Sequence, residues 1–182
     1  EYIMPSSQKT RKARKLRKNR KIKKSCLNKD CTAIAVLAAN NHGVEGIIKF
    51  KEERNGVKIN YSINGLSDGK HGFHIHEYGD LTDGCTSACS HFNPFHKTHG
   101  GLHGEERHLG DLGNITSNNN LAKGSLFAKQ VSLESCGKTS IIGRMVIVHE
   151  DPDDLGKGGD IESTKTGNAG KRLACGVIGR CR

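Results

Sequence analysis

The sequence predicts an all-β sandwich or barrel, and three observations carry that reading. Short apolar or alternating runs recur along the chain, bounded by Gly, Asn and Asp clusters of the kind that mark turns. No stretch sustains the 3.6-residue apolar period of an amphipathic helix. Two long stretches without any period interrupt the strands, and 23 glycines against 3 prolines in 182 residues suit many turns.

The first element is not a strand. Residues 1–31 hold 12 Lys or Arg against Glu1 and Asp30, and the remaining residues balance, so the whole formal charge of +10 sits in this extension. Eleven of the basic residues fall within residues 9–24. Like charges at that density repel one another and bury little, so residues 1–31 are expected to be disordered. A polyanion such as nucleic acid would bind them by counterion release, without base stacking, because residues 9–24 lack aromatics. A nuclear address and a merely solvated tail are open alternatives.

Residues 32–182 form the expected folded domain. TAIAVLAA reads as a buried strand, and VEGIIKFKEE, after the turn at residues 40–43, reads as its hairpin partner. Val57, Ile59, Tyr61 and Ile63 alternate with Lys58, Asn60, Ser62 and Asn64, the pattern of a half-buried strand. Turns at Asn64-Gly65 and Asp68-Gly69 lead into the strand GFHIHE. Residues 78–109 show no period, and a loop of that length in a compact domain is usually functional. ITSNNNLAKGSLFAKQVSL reads as strand, turn and strand, and IIGRMVIVHE as a further strand. Residues 151–169 are a second long, Gly-rich excursion, and ACGVIGR closes the chain as a last strand.

No apolar run approaches the ~18 residues of a membrane helix, and the start lacks a hydrophobic signal core. A cytoplasmic protein is therefore expected, with a nuclear location open through the basic extension. Seven cysteines make no paired CxxC ribbon, and reduced thiols are the default inside a cell.

The chemistry concentrates in histidines. His74 and His76 are two apart on one strand, so both imidazoles face one side while Phe73 and Ile75 face the other. His91, His99, His108 and Asp111 follow in Gly-rich sequence, and His149 ends the run MVIVHE. Imidazole nitrogen suits copper and zinc, and a carboxylate added to several imidazoles suits zinc. His42, His96 and His103, taken singly, read as ordinary solvated or packed histidines.

The stretches GFHIHEYGDLT, HFNP, HGG, EERHLGDLGN, VHE, DDLGKGG and GNAGKRLACGVIG, in that order, resemble the copper/zinc superoxide dismutase family over roughly residues 32–181. The resemblance implies an eight-stranded Greek-key β-barrel, an immunoglobulin-like sandwich with two long functional loops. It makes His74, His76, His91 and His149 the copper ligands and His91, His99, His108 and Asp111 the zinc ligands, with His91 bridging. The reaction it implies is disproportionation of superoxide to O2 and H2O2, with His91 and Arg172 as catalytic residues. Glu162, Lys165 and Thr166 match the loop that guides the anion. Asp153 matches an outer carboxylate bonded to one copper and one zinc histidine, and Cys85 and Cys175 match the intrasubunit disulfide. Partners implied are a second copy of the chain and a copper chaperone for metal loading.

Some positions depart from the family pattern. Cys89-Ser90 replaces a Gly-Pro before the bridging histidine, which predicts a looser loop there. Ile161 replaces an acid, Lys171 adds a charge beside Arg172, and Arg180 and Cys181 fall near the expected dimer face of Tyr78, Ile142 and Val177. An alternative reading is a non-enzymatic, partner-binding module like the dismutase-like domain of the copper chaperone. Such modules usually lack part of the copper set, whereas all seven ligand positions are filled here.

Overall fold

A computed structural model describes residues 32–38 and 41–181. The basic extension, and the disorder expected of residues 1–31, lie outside the described residues. Among the described residues nine strands form: β1 (Thr32–Leu37), β2 (Glu45–Glu53), β3 (Gly56–Asn64), β4 (Gly69–His76), β5 (Asp111–Ser117), β6 (Leu121–Lys129), β7 (Met145–His149), β8 (Arg172–Val177) and β9 (Gly179–Arg180). The long loops hold only a 3-10 turn, Thr86–Ala88, and a one-turn helix, α1 (Ser163–Thr166).

All strand pairings are antiparallel and fall into two sheets, ordered β6-β3-β2-β1-β9 and β5-β4-β7-β8. The chain crosses between sheets from β3 to β4, from β5 to β6 and from β6 to β7, a Greek-key sandwich in which neither sheet closes on itself. Eight strands become nine because the last one breaks at Ile178. There the backbone leaves β7 and bonds to the turn at residues 143–144 instead, with Ile178 N–H donating to the Arg144 carbonyl at 2.8 Å. Its continuation, β9, pairs with β1 on the other sheet. Gly176 permits the crossing, since a Cβ there would lie 2.6 Å from the Val36 carbonyl oxygen.

Alternation places the core. Val57, Ile59 and Ile63 of β3 point inward with Ile48 and Phe50 of β2 and Phe73 and Ile75 of β4, all fully buried. Each such side chain contributes roughly 1.5–3 kcal/mol through burial. β1 departs from the expected buried strand. Ala33, Ala35 and Leu37 face the core, but Val36 is 57% exposed and sits opposite Ile47 on the outer face. One face of an antiparallel sheet is free to meet water, and apolar residues on that face hid the alternation.

β4 therefore has two uses. Phe73 and Ile75 anchor it in the core, and His74 and His76 project from its other side toward the long loops. With β7 beside it, β4 forms the rigid floor of the site.

Candidate metal centre

Six histidines and one aspartate, all buried, form two four-residue groups that share His91. His74 and His76 come from β4, and His149 ends β7, the adjacent strand. His91 is held against β4 by a bridge to His76. His99 and His108 lie in the loop between β4 and β5, and Asp111 opens β5 opposite His74. In each group the candidate ligand atoms lie within 4.8 Å of one another.

Hydrogen bonds on the far side of each ring decide which nitrogen faces inward. His76 Nδ1 donates to the Cys89 carbonyl at 2.8 Å and His149 Nδ1 to the Gly170 carbonyl at 3.2 Å. Their Nε2 atoms are left 3.4 Å apart. His74 Nε2 bonds to Asp153, which leaves Nδ1 free. His91 turns Nδ1 to Asp111 and Nε2 to the first group. The first group thus offers four imidazole nitrogens, a set suited to copper.

The second group converges on one oxygen. Asp111 Oδ1 lies 2.8 Å from His91 Nδ1, 3.0 Å from His99 Nδ1 and 3.2 Å from His108 Nδ1. A carboxylate oxygen does not satisfy three imidazole N–H groups crowded on one side, but three nitrogens and one oxygen make a closed set for zinc. The other oxygen, Oδ2, accepts from the backbone N–H of Gly100 and His108 and fixes the carboxylate.

Three buried ring nitrogens, His74 Nδ1, His91 Nε2 and His99 Nδ1, have no hydrogen-bond partner. Each such orphan costs about 1–3 kcal/mol unless something takes its lone pair. All three face the two convergence points, so these residues fit the copper and zinc that their donor types suggest.

Electrostatics agrees. Burial, reinforced by the neighbouring His74, lowers His91 to about 3, and burial with the same neighbour lowers His149 to about 2. His76 is likewise held well below the ordinary imidazole value by burial and by His91. Metal ligation needs neutral imidazole, and these rings are neutral at physiological pH. For His99 burial works in the same direction but is outweighed by Asp111 and Asp153, which raise it to about 9. Both carboxyl groups are held well below the usual range, because bonds from the histidines overcome their own burial.

Asp153 joins the groups, accepting from His74 Nε2 and His99 Nε2 at 2.8 Å each. Asn114 of β5 clamps its backbone with two bonds, a role that sequence reasoning missed. Gly167 was missed as well. It has φ +68°, and a Cβ would lie 2.1 Å from Asp153 Oδ1 and 2.4 Å from His99 Nε2. Its only signal was its place in the GNAG string. His71 is a third omission: buried beside the site, it contacts the carbonyls of His149 and Ser67 at 2.9 Å.

The Nε2 side of the first group opens on a cleft of about 760 Å³ lined by His76, His91 and His149, with Glu162, Lys165 and Thr166 at α1 and Arg172 at β8. Arg172 pairs with His149 across a bulge in the β7–β8 ladder. Its guanidinium donates to the carbonyls of Cys85 at 2.6 Å, Thr86 at 3.1 Å and Cys89 at 2.5 Å. Cys85 and Cys175 form a disulfide. Thr166 Oγ1 donates to Glu162 Oε1 at 2.9 Å, which orders that rim.

Two departures have structural outcomes. At Cys89 the residue sits at φ 63° and its carbonyl accepts from both His76 and Arg172. Arg180 donates to the Leu133 carbonyl at 2.6 Å and to Ser135 Oγ at 3.0 Å, so its charge is not stranded.

Residues 44–178 match the model of the copper/zinc superoxide dismutase family. The chain is 55% identical over 155 residues to a superoxide dismutase (Cu-Zn) of Paramecium bursaria Chlorella virus 1, covering 84% of this chain and 80% of that protein. It is 53% identical over 150 residues to superoxide dismutase (Cu-Zn) A of Xenopus laevis, covering 82% of this chain and 97% of that protein. The Saccharomyces cerevisiae superoxide dismutase (Cu-Zn) is 52% identical over 151 residues, with 81% and 96% covered.

Proposed function

Because this chain belongs to the copper/zinc superoxide dismutase family, we propose that the paired groups are its catalytic centre, with copper on the four-imidazole group and zinc on the group containing Asp111. The protein is a superoxide dismutase. When bound, copper would supply the one-electron exchange that turns two superoxide anions and two protons into O2 and H2O2, while zinc, which has no redox chemistry, would be structural. The observation that carries the assignment is the completeness of both groups around a shared His91. That completeness also disfavours the non-enzymatic chaperone-like module.

The residues divide the remaining work. Arg172, fixed by three carbonyls at the cleft wall, positions the anion with a charge that persists at any physiological pH. Lys165 and Glu162 shape the field at the mouth, and Thr166 holds Glu162 in place. His91 has Nε2 facing the cleft side and Nδ1 facing Asp111, so Nε2 is the atom placed to take up a proton from solvent and pass it on to departing product. Asp153 orients His74 and His99 together.

The assembly proposed is a two-fold homodimer through Tyr78, Ile142 and Val177. Tyr78 is 56% exposed on this surface, and Arg180 turns toward residues 133–135. Sedimentation at micromolar protein that shows monomer alone rejects it. The proposed location is cytoplasmic, with metal loading by a copper chaperone and polyanion binding by residues 1–31. No helix among the described residues is long and apolar enough to cross a membrane. Imaging of a tagged protein tests the location, including a nuclear one. Retention on an immobilised polyanion, with and without residues 1–31, tests the extension.

The deciding experiment is metal analysis joined to a superoxide assay. The expected result is one copper and one zinc per chain with activity that cyanide, a copper-binding anion, abolishes. A fully metallated protein without such activity overturns the reading.

A further inference from the structure

Behind Arg172, on the side of the disulfide, lies a second groove of about 470 Å³. The groove is shallow and open to solvent, so an occupant would be held by charge rather than by enclosure. Its lining includes His42, Cys85, Thr86, Lys171 and Arg172 and, among the described residues, no carboxylate. Cys85 and Cys175 are both partly exposed, so the disulfide is not sealed in the core. Lys171 Nζ lies 3.5 Å from Glu150 Oε2, but the two side chains are 79% and 44% exposed. Pairs that open to water hold each other weakly, so the lysine's field still reaches an arriving anion.

We propose that this groove receives a low-molecular-weight thiol bearing carboxylate groups, and that the thiol opens the Cys85–Cys175 bond by exchange. The carboxylates meet Lys171, which places the thiolate beside Cys85, the half of the disulfide that lines the groove. The thiolate sulfur attacks Cys85 Sγ and a new S–S bond forms. The Cys85–Cys175 bond breaks, its electron pair leaves on Cys175 Sγ, and water protonates that thiolate. A second thiol molecule attacking the mixed disulfide leaves both cysteines reduced and yields the oxidised thiol dimer. Opening the bond frees the segment whose Cys85 and Thr86 carbonyls anchor Arg172, so the exchange reaches the anion-positioning residue.

The test measures the rate of disulfide opening in full-length, metal-loaded protein, with alkylation to quench and mobility or mass to read the mixed disulfide. Mercaptoacetate, mercaptoethanol and cysteamine serve as anionic, neutral and cationic probes. Rates are expressed per thiolate, and the anionic-to-cationic ratio is compared between proteins so that intrinsic reactivity cancels. The ratio is expected to fall about threefold in Lys171→Gln and about tenfold in Lys171→Glu at low salt, and to converge across proteins at high salt. Lys58→Glu, on the outer face of β3, is expected to leave it unchanged. A ratio that is the same in wild type and Lys171→Glu overturns the proposal, as does a wild-type disulfide that none of the three thiols opens.

Discussion

His74, on β4, and His99, in the loop that follows, each place Nε2 2.8 Å from a different oxygen of one carboxylate, Asp153. A ligand from each proposed metal is thereby oriented by a single residue, itself clamped by Asn114. In Asp153→Asn one of the two oxygens becomes an amide nitrogen, which cannot accept from an imidazole N–H. Metal affinity is expected to fall about 10–100-fold with the fold retained, as for other lost outer-shell partners. Chelator competition with both metals checks this, and unchanged affinity for both rejects the coupling role.

Arg172 donates to three loop carbonyls and lines the cleft that His76, His91 and His149 share. Arg172→Gln is expected to leave metal content intact and to lower the bimolecular rate with superoxide about tenfold or more, since positioning and field are lost together. Arg172→Lys keeps the charge and loses the fork, so it retains an intermediate rate. Pulse kinetics on metal-matched proteins distinguish the three, and equal rates dispose of the assignment.

Cys89 occupies a conformation, φ 63° and ψ −145°, that glycine adopts far more readily than a residue with a Cβ. Cys89→Gly is expected to raise unfolding stability by about 1 kcal/mol, because strain relieved in the native state exceeds the added freedom of the unfolded chain. Denaturant midpoints under reducing and oxidising conditions test it. A lowered midpoint in both means the thiol makes a compensating contact.

Metal-free protein is expected to lose stability in acid. His91 falls to about 3 and His149 to about 2 when folded, against an ordinary value of 6.5. Between those limits the unfolded chain binds protons that the native state does not, so stability is complete above 6.5 and drains as pH drops toward 3. His99, raised to about 9, has the opposite sign, with its stabilisation present below 6.5 and lost as pH rises through 9. Urea midpoints of the metal-free protein should therefore fall from pH 7 to pH 4 and also ease downward as pH rises from about 7 to about 9. His99→Asn should remove only the alkaline limb.

How much of this could be read in the residues depends on how local each cause is. The alternation of β3 and the His74–His76 pair are properties of a single extended strand, and both appear as expected. Residues 32–37 misled because Ile34 and Val36 are apolar yet outward-facing, so one-sided burial looked like complete burial. His71 sits three residues from His74 on the same strand, where plain alternation assigns it to the Phe73 side, but a bulge between Gly72 and His74 interrupts the register. Only tertiary packing puts one against two carbonyls and the other against Asp153. Asn114 and Gly167 escaped for the same reason, since each acts on a residue far along the chain.

The break at Ile178 bears on more than strand count. By carrying the chain from β8 to β9, it uses the final residues to cover the outer edge of β1, where Ala33 and Ile34 pair with Arg180 and Gly179. A chain ending at Val177 would retain every proposed ligand and the disulfide, but it would present that edge bare beside the exposed Val36. Unpaired, partly apolar edges recruit strands from other molecules. The last few residues thus act as a guard against self-templating, a protection separable from the chemistry in the cleft.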